Sequence, residues 1–305
     1  MGRGSRRRWI AFTVVVAVIA LVLAYNASGA APTLAGSSTD RPITAAERQV
    51  LDRAEQLLVQ ACMRHAGFRY WVVDAPDPTP VHRGGGYVVG DVPWARRHGY
   101  GTDLAKQQAR QDPNSRYFAS LTRARQQAAL VALNGPSPGG LQTTLPNGIR
   151  VQHSNRGCSS AAQQQLYGDL AGWFQTTKLT ENLAGERYGL VTQDPAFTAA
   201  VTAWSGCMHQ RGHKVDTPAD THRRVADPAT APSRDSEIAL AVDEARCATT
   251  TRLADTAERL DAHYAALQDN RYRAALMERR RLQRAALPRA QTLVRAATRA
   301  TPSQR

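Results

Sequence analysis

Apolar residues recur along most of this chain at the three-to-four spacing of helices, and only short stretches break the pattern. Thr44-Ala-Ala-Glu47 is a capping box. It opens a helix with Leu51, Ala54, Leu58 and Ala61 on one face, Cys62 and His65 beside it, and Gly67 as its stop. Phe68 to Val73 reads as a short strand. Residues 81–101 carry Gly84-Gly-Gly86 and His98-Gly-Tyr-Gly101. Neither glycine spacing of a phosphate cradle is met, so they read as irregular backbone. One helix is expected from Asp112-Pro113 to Asn134-Gly135, with Tyr117, Leu121, Ala124, Ala128 and Val131 on its face. Thr143 to Val151 reads as a hairpin turning at Asn147-Gly148. Cys158, Ala162, Leu166, Leu170 and Trp173 form the next stripe. Asp194-Pro195 opens a helix with Phe197, Val201, Trp204 and Met208 inward and Gly212 as its end. After a polar loop, 214–235, a long helix carries Ile238, Val242, Ala245, Leu253, Ala257, Leu260, Tyr264 and Leu267, with Cys247 on a flank near Leu240 and Ala254. The Arg/Ala-rich segment 271–305 is helical in propensity to Pro288 and as far as Ala300.

Two of these helix ends share a pattern. Cys62-Met63-Arg-His65-Ala-Gly67-Phe68 and Cys207-Met208-His209-Gln-Arg-Gly212-His213 both read Cys-Met, three residues, Gly, then an aromatic or His. Cys158 and Cys247 each follow one copy. Of the three pairings open to four cysteines, Cys62–Cys158 and Cys207–Cys247 let each unit close on itself. The expected fold is therefore mainly α: two disulfide-pinned helical units with a small β-hairpin element in the first. The expected boundaries are a first unit at 43–193, a second at 194–270 and a basic C-terminal helix and tail at 271–305. Residues 31–42 form a linker and 1–30 a signal peptide or N-terminal membrane anchor.

The N-terminus supplies the reason to expect disulfides. Arg3, Arg6, Arg7 and Arg8 precede an uncharged apolar run from Trp9 to Tyr25, and small residues, Ala27-Ser-Gly-Ala30-Ala31, follow. A basic start, an apolar run and small residues make an export signal, and the run is also just long enough to span a membrane. The expected location is extracytoplasmic, secreted or anchored to the plasma membrane by residues 9–25, in a compartment where an even number of thiols pairs. Charge adds a second constraint. The formal net charge is +14. The four N-terminal arginines, and ten arginines against Glu278 in residues 271–305, account for all but one unit of it. A nearly neutral body and an exported location argue against nucleic acid as a partner. The C-terminal run Arg271, Arg273, Arg279, Arg280, Arg281 and Arg284 is the candidate contact for anionic lipid headgroups or wall polymers, over a thin apolar stripe of Ala275, Leu282, Ala286 and Leu293.

The chain also resembles a group of uncharacterised exported proteins and lipoproteins from actinobacteria. The resembling residues are His98-Gly-Tyr-Gly101, Asp112-Pro-Asn-Ser-Arg-Tyr117, Leu145-Pro-Asn-Gly148, Gly157-Cys158, Leu166-Tyr-Gly-Asp-Leu170, Asn182-Leu183, Asp194-Pro-Ala-Phe197 and Trp204-x-x-Cys207-Met208, within residues 45–268. The resemblance implies export and a helical, disulfide-bonded fold, and it carries no catalytic residue. Unlike the lipoproteins of that group, this chain has no Cys after its apolar run.

Chemistry is harder to read. His209 and His213 are four apart, as two ligands on one helical turn would be, but Gly212 falls between them and Cys207 suits a disulfide. No metal or other cofactor is expected. With the thiols expected to be oxidised, no nucleophile is selected, and no spacing among Asp74, Asp77, Asp91, Asp103, Glu181 and Glu186 selects a carboxylate pair. The expected function is that of a non-catalytic, exported cell-envelope protein that binds or scaffolds. The alternatives are a cell-wall-acting enzyme or enzyme accessory, and an extracytoplasmic small-ligand binding protein with a cleft lined by Trp71, Trp94 or Tyr100.

Overall fold

The computed structural model describes residues 41–73, 82–137 and 139–300. The apolar run 9–25 and the proline loop 74–80 lie outside them. The described residues form twelve helices and one two-stranded antiparallel sheet. In chain order the elements are α1 (Ala45–His65), α2 (Val92–His98), α3 (Thr102–Gln111), α4 (Pro113–Ser120), α5 (Arg123–Asn134), β1 (Gly140–Thr144), β2 (Arg150–Ser154), α6 (Cys158–Tyr167), α7 (Leu170–Gln193), α8 (Pro195–Gln210), α9 (Pro218–Ala226), α10 (Arg234–Thr250), α11 (Leu253–Arg271) and α12 (Arg273–Ala300).

The capping box at Thr44 is present in both directions. The Thr44 Oγ1 accepts from the Glu47 N–H and the Glu47 carboxylate accepts from the Thr44 N–H. The two Cys-Met-x3-Gly copies are the same local device. Gly67 and Gly212 sit at φ +79° and +84°. The N–H after each glycine reaches back to the methionine carbonyl, Phe68 to Met63 at 2.9 Å and His213 to Met208 at 3.0 Å. This is a Schellman end, in which a left-handed residue lets the chain satisfy the last helical carbonyls. Met63 and Met208 are both buried. Cys62 is bonded to Cys158 and Cys207 to Cys247, with Cα–Cα distances of 5.5 and 5.7 Å.

Three expectations about elements need correction. Phe68 to Val73 is not a strand, because no second strand borders it; side-chain amides take that role. Gln56 bonds both the N–H and the carbonyl of Val73, Gln60 donates to the Tyr70 carbonyl, and Asn114 bonds both backbone groups of Trp71. The single helix expected over 112–134 is two, α4 and α5, broken where Leu121 turns extended (ψ 149°) and Thr122 caps the restart. The restart rotates the stripe, so Ala129 is buried while Val131 is exposed. The long helix after residue 235 is also two, divided at Arg252, which adopts a left-handed φ of 58°. Its first half, α10, buries two faces, and Cys247 sits on the fully buried one with Leu240 and Ala248. In the second half Gln268 is buried and Leu267 is exposed.

The core does not divide at residue 193, and residues 42–305 cluster as one unit. The glycine-rich segment 82–101, expected with the first unit, packs on the later helices. Tyr87 and Val88 join Trp204, Met208, Leu253 and Ala257, while Val89, Trp94 and Ala95 join Ala241 and Ala245. The segment expected as a basic C-terminal helix and tail packs, as α12, on the earliest helix. Leu282, Ala286 and Ala290 of α12 are buried against Leu51 and Ala54 of α1, Leu166 and Tyr167 of α6, and Trp173 of α7. The stripe read as thin is therefore enough, because its small residues let α12 approach α1 closely.

Candidate functional site

The residues singled out in the sequence separate into structural and exposed groups. All four cysteines are oxidised, so no thiol is available. Trp204 and Met208 are fully buried beside Cys207. His209 and His213 face different carboxylates, Asp216 at 3.5 Å and Asp243 at 3.0 Å, the latter shared with Arg211 at 2.9 Å. Among the described residues no three His, Cys, Asp or Glu side chains are placed to hold a metal ion.

The largest concentration of titratable groups lies where α10 meets the segment 82–103. Glu244 is fully buried. Its carboxylate accepts the Val89 N–H at 3.0 Å, the Tyr100 hydroxyl at 2.5 Å and the Thr221 hydroxyl at 2.6 Å. His222 lies 3.8 Å from it. Burial pushes the Glu244 carboxyl up, against these hydrogen bonds. Burial, with the nearby His82, holds His222 below its ordinary value. Burial and the Glu244 charge push the Tyr100 phenol far up. Two turns earlier Glu237 accepts the Tyr100 N–H, the Thr102 hydroxyl and a guanidinium N–H of Arg234. On α11, Glu258 accepts the Gly84 N–H and Asp261 the Tyr87 hydroxyl, and Asp255 pairs with Arg83. These carboxylates hold a glycine-rich segment that has no regular partner of its own. Glu244 is enclosed by this network, so it acts as a fastener and no substrate reaches it.

Of the aromatic residues named for a cleft, Trp94 and Tyr100 pack in one cluster with Val89, Ala241 and Ala245. Trp94 packs at a tilt against His82 and His98, Tyr100 is tied to Glu244, and Trp71 stands edge-on to Tyr117. A different cleft of about 250 Å³ opens between the extended segment after α1 and the α4–α5 pair. Met63, Phe68, Tyr70, Phe118, Leu121 and Leu133 line it, and Arg69 and Ser115 stand at its edge.

The six basic residues proposed at the C-terminus have different roles. Arg279 points inward, its guanidinium 5.8 Å from the Trp173 ring and bonded to the Thr180 hydroxyl at 2.9 Å. Arg281 pairs with Glu278, Arg271 lies over Tyr272 and near Glu186, and Arg284 is half-buried. Arg273 and Arg280 point away from the buried stripe. Arg295 and Arg299, omitted from the sequence reading, are exposed and four apart, one helical turn from each other. Pro288 is tolerated on the exposed side of α12, and the helix runs through it.

No family model, curated protein or solved structure matches this chain.

Proposed function

We propose that this chain is a non-catalytic, extracytoplasmic envelope protein that binds an anionic surface through the outer face of α12. The observation that carries the reading is the two-sided helix. Leu282, Ala286 and Ala290 fix one side in the core. The opposite side then presents Arg273, Arg295 and Arg299 to solvent, with exposed Arg281 and half-buried Arg280 beside them. The four cysteines joined in two bridges suit an oxidising compartment, as does the basic, apolar and small-residue order of the first thirty residues.

Each arginine near an anionic surface contributes roughly 1 kcal/mol. Four arginines then give about 4 kcal/mol, close to a thousandfold in affinity. The test is co-sedimentation with phosphatidylglycerol vesicles, phosphatidylcholine vesicles and a purified anionic wall polymer, at low and high salt. Salt-sensitive binding to an anionic target, abolished in the Arg280→Glu, Arg295→Glu, Arg299→Glu variant, supports the proposal. Equal binding by that variant overturns it, as does release of wall fragments by the purified protein.

A further inference from the structure

A cleft lies away from α12, between residues 63–70 and the α4–α5 pair. Its wall is apolar and anchored. Met63 and Phe68 are buried, held by the Schellman turn at Gly67 and by the neighbouring Cys62–Cys158 bridge. Asn114 clamps the backbone of Trp71 and fixes the distance from the extended segment to α4. The volume is about 250 Å³. That suits one medium-length chain.

Two polar groups in the lining have no partner among the described residues. The Tyr70 hydroxyl makes no hydrogen bond, although its ring is half-buried and its backbone carbonyl is held by Gln60. Burial pushes its phenol up, so it remains a neutral donor at any physiological pH. The Arg69 guanidinium makes no ion pair. The other cation nearby, Arg125, is already bonded to the Gly67 carbonyl and stacked 4.3 Å over Phe68. Two carboxylates act on the Tyr70 phenol: Glu55, bonded to Gln163 and Tyr167, and Asp112, which accepts from the N–H groups of Asn114 and Ser115 and the Ser115 hydroxyl as the cap of α4. An apolar slot with a free donor and a free cation at its edge matches one kind of ligand.

We propose that this cleft binds a single-chain anionic amphiphile. Its chain lies among Met63, Phe118, Leu121 and Leu133, and its carboxylate or phosphate head is held by Tyr70 and Arg69. This site is independent of the α12 face. Calorimetric titration of the intact, oxidised protein with decanoate, decyl phosphate and decanol tests it. At least one anion should bind, with decanol at least tenfold weaker. The two anions tell a carboxylate source from a phosphate source. The Arg69→Gln, Tyr70→Phe double variant should weaken anion binding at least tenfold and leave decanol unchanged, with near-ultraviolet circular dichroism showing the fold intact. Filling the slot with Leu121→Trp should remove all three. The proposal is overturned if neither anion binds, if decanol binds as well as the anions, or if the folded double variant binds them undiminished.

Discussion

Leu282→Ala separates a docked α12 from a solvated basic tail. Leu282 is 2% exposed and packs among Leu51, Ala54, Leu166, Tyr167 and Trp173. Removing a buried leucine side chain costs about 3 to 5 kcal/mol when the site cannot collapse. Here the neighbours are held by the stacked Tyr167 and Trp173 rings, 3.5 Å apart, so little collapse is expected and about 3 kcal/mol is a lower figure. With about 2.1 cal/mol/K of unfolding entropy per residue over roughly 260 residues, that loss lowers Tm by about 5 °C. Urea denaturation followed by circular dichroism, together with a thermal melt, reads both quantities. Arg280→Ala, on the outer face of the same helix, should change stability by no more than about 0.5 kcal/mol. If Leu282→Ala also stays within about 0.5 kcal/mol, α12 does not complete this core and the packing described above is wrong.

The two bridges should differ in worth. On the chain-entropy model, loops of 96 and 40 residues give about 4.7 kcal/mol for Cys62–Cys158 and about 3.9 for Cys207–Cys247. Paired Cys→Ala variants compared by urea denaturation should show the first loss as the larger, and the reverse order would count against an entropic origin. Arg252→Gly should raise stability by up to about 1 kcal/mol, since a left-handed arginine costs roughly 1–2 kcal/mol that glycine avoids in the fold; a lowered Tm would refute it. His222 is held below its ordinary value of 6.5 in the fold, so the unfolded chain takes up that proton first. Its contribution is present above pH 6.5 and is lost as pH falls below it. Urea midpoints measured from pH 7.5 to 5 should fall more steeply for the native protein than for His222→Asn, and parallel curves would refute the assignment.

Local signals carried far in this sequence where a single residue decides a conformation. Thr44-x-x-Glu47, Gly67 and Gly212 mark helix ends because capping and left-handed φ are properties of a few neighbouring atoms. The stripe Phe197, Val201, Trp204 and Met208 is buried throughout. Helix breaks were less legible. Leu121 and Arg252 have no special propensity for a break, and tertiary packing places the breaks there. The segment 82–101 offered glycines but no partner. Its hold on α10 rests on Glu244 meeting Val89 and Tyr100 across 155 and 144 residues. Two glutamates seven apart among Leu240, Ala241, Ala245 and Ala248 did hint at burial, but nothing local names what a buried carboxylate will accept. The repeated helix ends carry a related lesson. A repeated helix end is a repeated cap, and it does not oblige the segments around it to form separate cores. The ligand cleft was unreadable because its polar handles, Arg69 and Tyr70, lie in a stretch expected to be a strand.

The pairing of α1 with α12 puts a delay into the birth of this protein. Leu51 and Ala54 leave the ribosome more than 200 residues ahead of the Leu282, Ala286 and Ala290 that cover them. At about 5–20 residues per second, the first helix waits on the order of 10 to 45 seconds with its apolar side uncovered. Cys62 meets the position of Cys158 after 96 residues, well before that cover arrives. Once both cysteines reach an oxidising compartment, a staple between α1 and α6 can hold the earliest helix in register until the last one docks. A chain stopped short of residue 282 would keep the staple and lack the lid, and should be recognised by quality control as an exposed apolar surface.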